Sequence, residues 1–302
     1  MNSIISPHLK AILLALLVTF LWSTSFILIK WGLAEIPPLT YAGLRYILAF
    51  ICLLPLSFTK KNKQSIKNLE RKDWLKLILL GILFICFTQG AMFMGLNLLP
   101  SVTVSLWLNF TPLVVAVMAT FLLNEYPAVL QWIGAILFVI GILTYFYPVR
   151  LSDNQSLGLI VMTVGVLANS GSAVLGRDVN RSGKISPFIV TLISMGFGAA
   201  VLLIIGISVQ GLPTISTQNI IYLLWLAVVN TALAFVIWNH TLRTLTAMES
   251  SIINGTMLIQ IAILSWIFLG EKISFQEIIG MSIAAFGAVL VQLKRKVKPK
   301  FD

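Results

Sequence analysis

Long apolar segments separated by short polar ones run through the whole chain. An α-helix needs about 20 mostly apolar residues to cross the hydrocarbon core of a bilayer. Ten segments meet this requirement, at roughly 9–31, 38–58, 74–95, 102–123, 129–147, 157–177, 186–208, 218–241, 247–270 and 275–293. Prolines and charged residues fill the gaps between them. The pattern predicts an all-α integral membrane protein with ten transmembrane helices.

The second half of the chain repeats the end of the first half. Several residues recur 146 positions later, among them Glu125 as Glu271, Gly134 as Gly280, and Gly141 as Gly287. A fixed period near half the chain length indicates one structural unit used twice. We therefore predict two five-helix repeats, 1–150 and 151–302. Because five is odd, the second repeat is inverted, and inverted repeats in secondary transporters hold the substrate site at their interface.

Composition supports a membrane protein. The chain is 58% hydrophobic and only 10% charged, with a mean hydropathy of +0.97. A soluble protein of 302 residues has no core large enough to bury so much apolar surface. The net charge of +11 resides in short segments between apolar runs, which argues against nucleic acid as a partner. Cys52 and Cys86 lie inside apolar runs and have neither disulfide nor metal spacing.

Lysine and arginine predict the orientation, because cytoplasmic loops of membrane proteins are enriched in them. With the N-terminus in the cytoplasm, the inner segments hold 17 Lys and Arg residues and the outer segments hold three, Lys30, Arg150 and Lys272. Both termini are therefore expected in the cytoplasm. The first apolar run is interpreted as a retained helix and not as a cleaved signal. These features predict a multi-pass protein of the plasma or inner membrane.

Several short motifs occur in a recognisable order. The first half contains Leu21-Trp22-Ser23-Thr24-Ser25-Phe26, Pro37-Pro38, Leu44-Arg45-Tyr46, Pro112 and Asn124-Glu125, and the second half ends with Gly270-Glu271, Gly280 and Gly287. Over nearly its whole length the chain resembles the EamA family of the drug/metabolite transporter superfamily. The resemblance implies a ten-helix inverted-repeat transporter, often an exporter of amino acids or related metabolites. The second half departs from the opening motif, since 169–172 lack the Trp and no Arg matches Arg45.

The repeated glycines and glutamates favour structural roles. Glycines seven residues apart share one helix face, and small residues let helices approach closely in lipid. The helices that carry them are expected to pack against each other or against a partner subunit. Glu125 and Glu271 lie at short turns, where each is expected to accept hydrogen bonds from the first amides of the next helix.

Arg45 is the one basic residue well inside a predicted span. Charges within a membrane span are costly and are functional candidates by default. Arg45 could hold a substrate carboxylate. It also lies only about two turns, or about 10 Å, from the outer end of its helix. From there, a long side chain could instead snorkel toward the outer interface.

Polar residues in mid-span predict a central site. The set comprises Ser25, Gln89, Asn109, Asn169, Asn230, Asn254 and Gln260. An amide facing lipid would leave its hydrogen bonds unmade, so these residues must face protein or a wet cavity. Each could serve an interhelical hydrogen bond instead of a ligand. The predicted substrate-binding residues are Trp22, Ser25, Arg45, Gln89, Asn109, Asn169, Asn230, Trp238 and Asn254, with the two Trp residues as an aromatic wall.

The sequence offers no chemistry for catalysis. No Asp or Glu lies deep in a predicted span, and no phosphate-binding loop is present. We expect no catalytic residues, no metal site, no cofactor and no enzyme activity. The predicted function is a secondary transporter that exports amino acids or related metabolites by alternating access, as a monomer or weak homodimer in contact with membrane lipids. The alternatives are a lipid flippase, a broad drug exporter of the same superfamily, or a membrane-embedded transferase.

Overall fold

A computed structural model describes residues 6–123, 129–147, 152–181, 184–241, 244–245 and 253–292. Within these ranges the chain forms helices joined by short turns, and no strand occurs among the described residues. The predicted all-α class is therefore confirmed for the part of the chain that the structure describes. Glu125, Glu249 and the basic tail from Lys294 lie outside it.

The described residues form twelve helices. In chain order they are α1 (Pro7–Gly32), α2 (Pro38–Ser57), α3 (Lys60–Lys67), α4 (Arg71–Leu98), α5 (Ser101–Leu108), α6 (Thr111–Leu123), α7 (Val129–Phe146), α8 (Asp153–Arg181), α9 (Pro187–Gln210), α10 (217–241), α11 (Met257–Leu269) and α12 (Phe275–Gln292). Two of them contain a π-helical segment, Ile82–Gln89 in α4 and Val228–Leu233 in α10.

Hydroxyl side chains fix where several helices begin. Ser6 precedes α1, and its side chain accepts a hydrogen bond from the Leu9 amide at 3.2 Å. Ser186 and Ser216 cap α9 and α10 in the same way. Each cap satisfies an amide that has no partner within its helix. Gly270 ends α11 with a φ of 66°, a left-handed conformation that favours glycine.

Seven helices of the described residues are long and apolar enough to cross a membrane. Three further apolar helical regions, Ser101–Val115, Ile253–Leu269 and Phe275–Leu290, are shorter, and the first two contain turns. Many large apolar side chains point outward, such as Ile136 and Ile160, at 59% and 63% exposure. A surface of this kind suits contact with lipid. The count of ten spans and the side on which each terminus lies remain predictions.

The helix bounds repeat at the spacing found in the sequence. Helix α12 begins and ends 146 positions after α7, and α11 begins and ends 146 positions after α6. The π-helical segments of α4 and α10 also begin 146 positions apart, at Ile82 and Val228. The pairs α6 and α11, and α7 and α12, therefore match in position and length.

The repeated glycines bring α7 and α12 together. A Cβ atom on Gly141 would lie 2.4 Å from the Ala284 nitrogen, and one on Gly280 would lie 2.6 Å from the Tyr145 nitrogen. Backbones at this distance leave no room for a side chain. Of the two partners expected for these helices, the first is confirmed, since they pack against each other.

The spans expected at 102–123 and 247–270 are not continuous helices. Residues Asn109 and Phe110 form a turn between α5 and α6, and a turn at Thr256 precedes α11. Proline has no N–H, so Pro112 leaves the Leu108 carbonyl without its helical donor. The first break follows from that missing bond. The two breaks occupy corresponding places in the two halves.

Candidate functional site

A cavity of about 790 Å³ lies between the helices of the two halves. Its wall is built from α1, α2, α4, α5, α6, α8, α10, α11 and the residues just before α11. Eight of the nine predicted site residues line it: Trp22, Ser25, Arg45, Gln89, Asn109, Asn169, Trp238 and Asn254. The volume falls within the range of small-molecule sites. The structure brings these residues to one place, and their role in binding stays a prediction.

Asn230 is the exception, because it lies behind the cavity wall. Its side chain is fully buried, and its Nδ2 donates to Ser25 Oγ at 2.9 Å and to Thr24 Oγ1 at 3.1 Å. It also contacts the Leu21 carbonyl. These bonds tie α10 to α1. The expected place of Asn230 on the cavity wall is therefore corrected, since its amide joins helices.

Aromatic rings of α1 and α10 form one side of the cavity. The ring centroids of Trp22 and Trp238 are 5.2 Å apart, and those of Trp22 and Phe235 are 5.7 Å apart. Tilted pairs at this separation are favourable beyond the area that they bury. The two predicted Trp residues thus meet in one cluster, which Phe235 extends.

The amide side chains of the cavity differ in how many of their donors and acceptors are bonded to other parts of the protein. Asn109 Nδ2 donates to the Ser105 carbonyl at 2.8 Å, and Asn169 Nδ2 donates to Thr111 Oγ1 at 3.1 Å. Asn254 is exposed in the cavity wall. Among the described residues, neither of the first two amides accepts a hydrogen bond through its oxygen, which could therefore accept one from a ligand.

Arg45 is buried, with only 4% of its surface exposed. Its Nε donates to Thr231 Oγ1 at 2.9 Å, and its guanidinium carbon lies 5.3 Å from the Tyr46 ring centroid and 6.0 Å from that of Phe93. Nη1 has no hydrogen-bond partner among the described residues. Of the two interpretations left open by the sequence, snorkelling to the outer interface is excluded by this burial. The side chain lines the cavity.

Two π-helical hydroxyls contribute to the site and were missed by the sequence analysis. Thr231 Oγ1 donates to the Leu226 carbonyl at 2.8 Å, and Thr88 Oγ1 donates to the Leu83 carbonyl at 2.9 Å. Each hydroxyl bonds to the carbonyl five residues earlier in the chain, which is the hydrogen-bond spacing of a π-helix. Thr231 thereby holds Arg45 in place. In the sequence, Thr231 directly follows the predicted site residue Asn230, and this position could have marked it as a candidate.

Gln260 joins helices and does not line the cavity. Its Oε1 accepts from Ser23 Oγ at 2.9 Å, and its Nε2 donates to Thr256 Oγ1 at 3.0 Å and to Thr19 Oγ1 at 3.3 Å. All of its polar atoms are therefore used between α1 and α11. Gln260 therefore follows the second possibility given for the mid-span amides, a hydrogen bond between helices in place of a bond to a ligand.

Glu271 caps a helix, although a different one from that expected. Its Oε1 accepts from the Ser101 amide at 2.9 Å, so it caps α5 of the other half and not the following α12. Lys30 Nζ donates to the Leu99 carbonyl at 2.7 Å beside it. The reason for the difference is the fold, which brings the end of α11 against the start of α5. The contact links the two halves.

Charged contacts outside the spans join neighbouring elements. Glu35 accepts a hydrogen bond from the Ser216 amide at 3.2 Å. Hydrogen bonds from the Asn219 side chain and from Ser216 lower the pKa of Glu35. Lys184 contacts Glu70 at 2.8 Å and Asp73 at 2.9 Å, and its hydrogen bonds to them raise the pKa of Lys184.

Metal-binding groups are not found in the part of the chain that the structure describes. No set of three or more His, Cys, Asp or Glu side chains there could hold a metal ion. The described cavity wall combines aromatic and aliphatic side chains with amides, hydroxyls and one guanidinium. Such a wall can bind an organic molecule by contact and hydrogen bonding.

The helical fold and the apolar outer surface are those of a multi-pass membrane protein, and this one has a central cavity. A sequence model of the EamA-like transporter family matches residues 9–147 and again residues 156–293. The chain belongs to the EamA-like transporter family, as its motifs predicted. It is accordingly a multi-pass protein of the cell membrane.

Relatives match along nearly the whole chain. The chain is 25% identical to the uncharacterized transporter YoaV of Bacillus subtilis, covering 92% of this chain and 95% of YoaV. It is 24% identical to protein PecM of Dickeya dadantii, over 92% and 93%. It is 23% identical to the S-adenosylmethionine/S-adenosylhomocysteine transporter of Chlamydia trachomatis, over 87% and 83%.

A solved crystal structure has the same fold. Its TM-score against this chain is 0.68, and the match covers 93% of this chain and 97% of the other. The sequence identity is 16%, so this likeness concerns the fold alone.

Proposed function

We propose that this protein is a secondary carrier that exports amino acids or related small metabolites by alternating access. The observation that carries the proposal is the cavity of about 790 Å³ that residues of both halves line. Its aromatic cluster suits an apolar side chain, and its free amide oxygens suit the polar groups of a metabolite. A relative named as a transporter of S-adenosylmethionine and S-adenosylhomocysteine supports a substrate related to amino acids.

The proposed architecture is a ten-helix inverted repeat with both termini in the cytoplasm. The double family match, the spacing of 146 between corresponding helices and the charge asymmetry support it. Cysteine accessibility labelling tests the orientation. Residues 60–72 and 294–302 should both react from the cytoplasmic side, and reaction from opposite sides would refute the ten-span arrangement.

The function is tested by flux measurements on purified protein in liposomes. The screen should include amino acids, nucleosides, organic cations and a labelled lipid, each measured against empty liposomes. We expect protein-dependent flux for an amino acid or a close derivative. Flux restricted to organic cations or to labelled lipid would replace this proposal with a drug exporter or a flippase.

Variants of the cavity wall extend the test. Asn109→Leu removes one hydrogen-bonding group, which should weaken apparent affinity by about 0.5–1.5 kcal/mol. Trp22→Ala should weaken it further, because it removes a large contact surface. Lys63→Ala in α3 is the control and should leave flux unchanged. Normal flux and affinity in both cavity variants would show that these residues serve packing alone.

A further inference from the structure

The cavity carries one fixed charge. Among the described residues that line it, Arg45 is the only charged side chain, and none is an Asp or a Glu. The ion pairs of the described residues, such as Lys76 with Asp178 at 2.6 Å, lie at helix ends away from this cavity. The positive charge of Arg45 is therefore not balanced by a carboxylate of the described wall.

The guanidinium is fixed in position but incompletely bonded. Thr231 accepts from Nε, while the Tyr46 and Phe93 rings flank the group. Nη1 is buried and donates to no acceptor. A buried charge without a partner is unfavourable, and leaving its donors unused adds to that penalty. Among the described residues, Nη1 is therefore a donor without an acceptor, on a side chain that lines the cavity.

Two helix N-termini face the same cavity. Thr111 and Pro112 at the start of α6 line it, as does Met257, the first residue of α11. Each of these helices has 13 residues. The N-terminal end of a helix carries a partial positive charge of about half a unit. The breaks in the two corresponding spans thus add positive potential to the cavity that Arg45 lines.

We propose that Arg45 is an anion subsite that binds the carboxylate of the transported molecule. The cavity then takes small organic acids, including amino acids through their carboxylate, in preference to the corresponding amides and amines. A planar guanidinium matches a carboxylate through paired hydrogen bonds. The aromatic cluster of Trp22, Phe235 and Trp238 in the same cavity receives the apolar part of the molecule. This inference rests on the proposed function only for the statement that the bound molecule is transported.

Binding of matched compounds tests the subsite. The probes are phenylacetate, phenylacetamide and phenethylamine, which share one ring and differ in charge. They are titrated into the purified full-length protein by calorimetry. The wild-type protein should bind phenylacetate about tenfold or more tightly than phenylacetamide, since a charge-assisted bond replaces a neutral one. Phenylacetate that binds no more tightly than its amide would overturn the assignment.

Variants of Arg45 test whether this residue causes the preference for phenylacetate over phenylacetamide. Arg45→Gln should make the acid and the amide bind alike, whereas Arg45→Lys should keep part of the preference because the charge remains. Lys63→Gln removes one positive charge from the exposed helix α3 and should keep the wild-type ratio. A preference that survives in Arg45→Gln would overturn the proposal. The wild-type comparison decides the question even where a variant does not fold.

The flux screen separates this inference from the carrier function. A transported substrate whose flux phenylacetate does not inhibit would overturn the subsite and leave the carrier standing. Preferential binding of phenylacetate to a protein that moves no compound of the screen would overturn the carrier and leave the subsite standing.

Discussion

The contact between α7 and α12 offers a sharp test of how this fold is held together. In Gly141→Ala the new Cβ would lie 2.4 Å from the Ala284 nitrogen and 2.7 Å from the Gly280 oxygen, whereas real Cβ atoms stay beyond 3.0 Å. Both neighbours are backbone atoms, so no side chain can rotate away. The helices must separate, and overpacking of this kind is destabilising by about 1–3 kcal/mol.

The assay is thermal unfolding of the purified protein in one detergent, followed by intrinsic fluorescence. Gly141→Ala should unfold at a lower temperature than the wild type. Gly171→Ala in α8 is the matched control, since the nearest atom to its Cβ is Leu83 Cδ1 at 3.7 Å, an ordinary contact. There alanine should be neutral or stabilising, because it favours helix by about 1 kcal/mol over glycine. Equal unfolding temperatures for the two variants would refute the reasoning.

Three further outcomes follow from the hydrogen bonds. Asn230→Leu leaves buried groups of α1 without their donor and should destabilise the protein by about 1–3 kcal/mol, as measured by chemical unfolding; unchanged stability would contradict a joining role. Glu271→Ala removes the cap of α5 and should lower the unfolding temperature, with a loss of about 1 kcal/mol; an unchanged temperature would contradict the cap. The pKa of Glu35 lies below its ordinary value of 4.5, so its contribution to stability is present above that pH and is lost as pH falls through the lowered pKa. The stability of Glu35→Gln should therefore differ from that of the wild type at pH 7 and match it in strong acid. A difference in stability that does not change with pH would contradict this.

The helices were predictable because lipid imposes a simple rule on sequence. A span must be apolar along its length, so hydropathy located each long helix, including α7 and α12. Breaks within spans are harder to foresee, since a cavity can satisfy the freed backbone groups. Pro112 was a usable signal for the first break. The second break, at Thr256, has no proline near it and depends on the tertiary fold.

The site was predictable as a set and not residue by residue. Mid-span amides must avoid lipid, which placed most of them at the cavity. Whether one amide faces the cavity or a neighbouring helix depends on its rotation about the helix axis. Asn230 and Gln260 are turned toward α1, and the sequence does not reveal this. The orientation of Arg45 depends in turn on Thr231, which is 186 positions away in sequence.

Alternating access to the cavity is the central claim, and a single cysteine tests it most directly. Asn109→Cys, in a protein whose Cys52 and Cys86 are replaced by Ala, places one thiol on the cavity wall. A membrane-impermeant thiol reagent is applied to liposomes of known protein orientation, from either side. We predict reaction from both sides and loss of flux after reaction. Reaction from one side only, with or without substrate, would contradict the account.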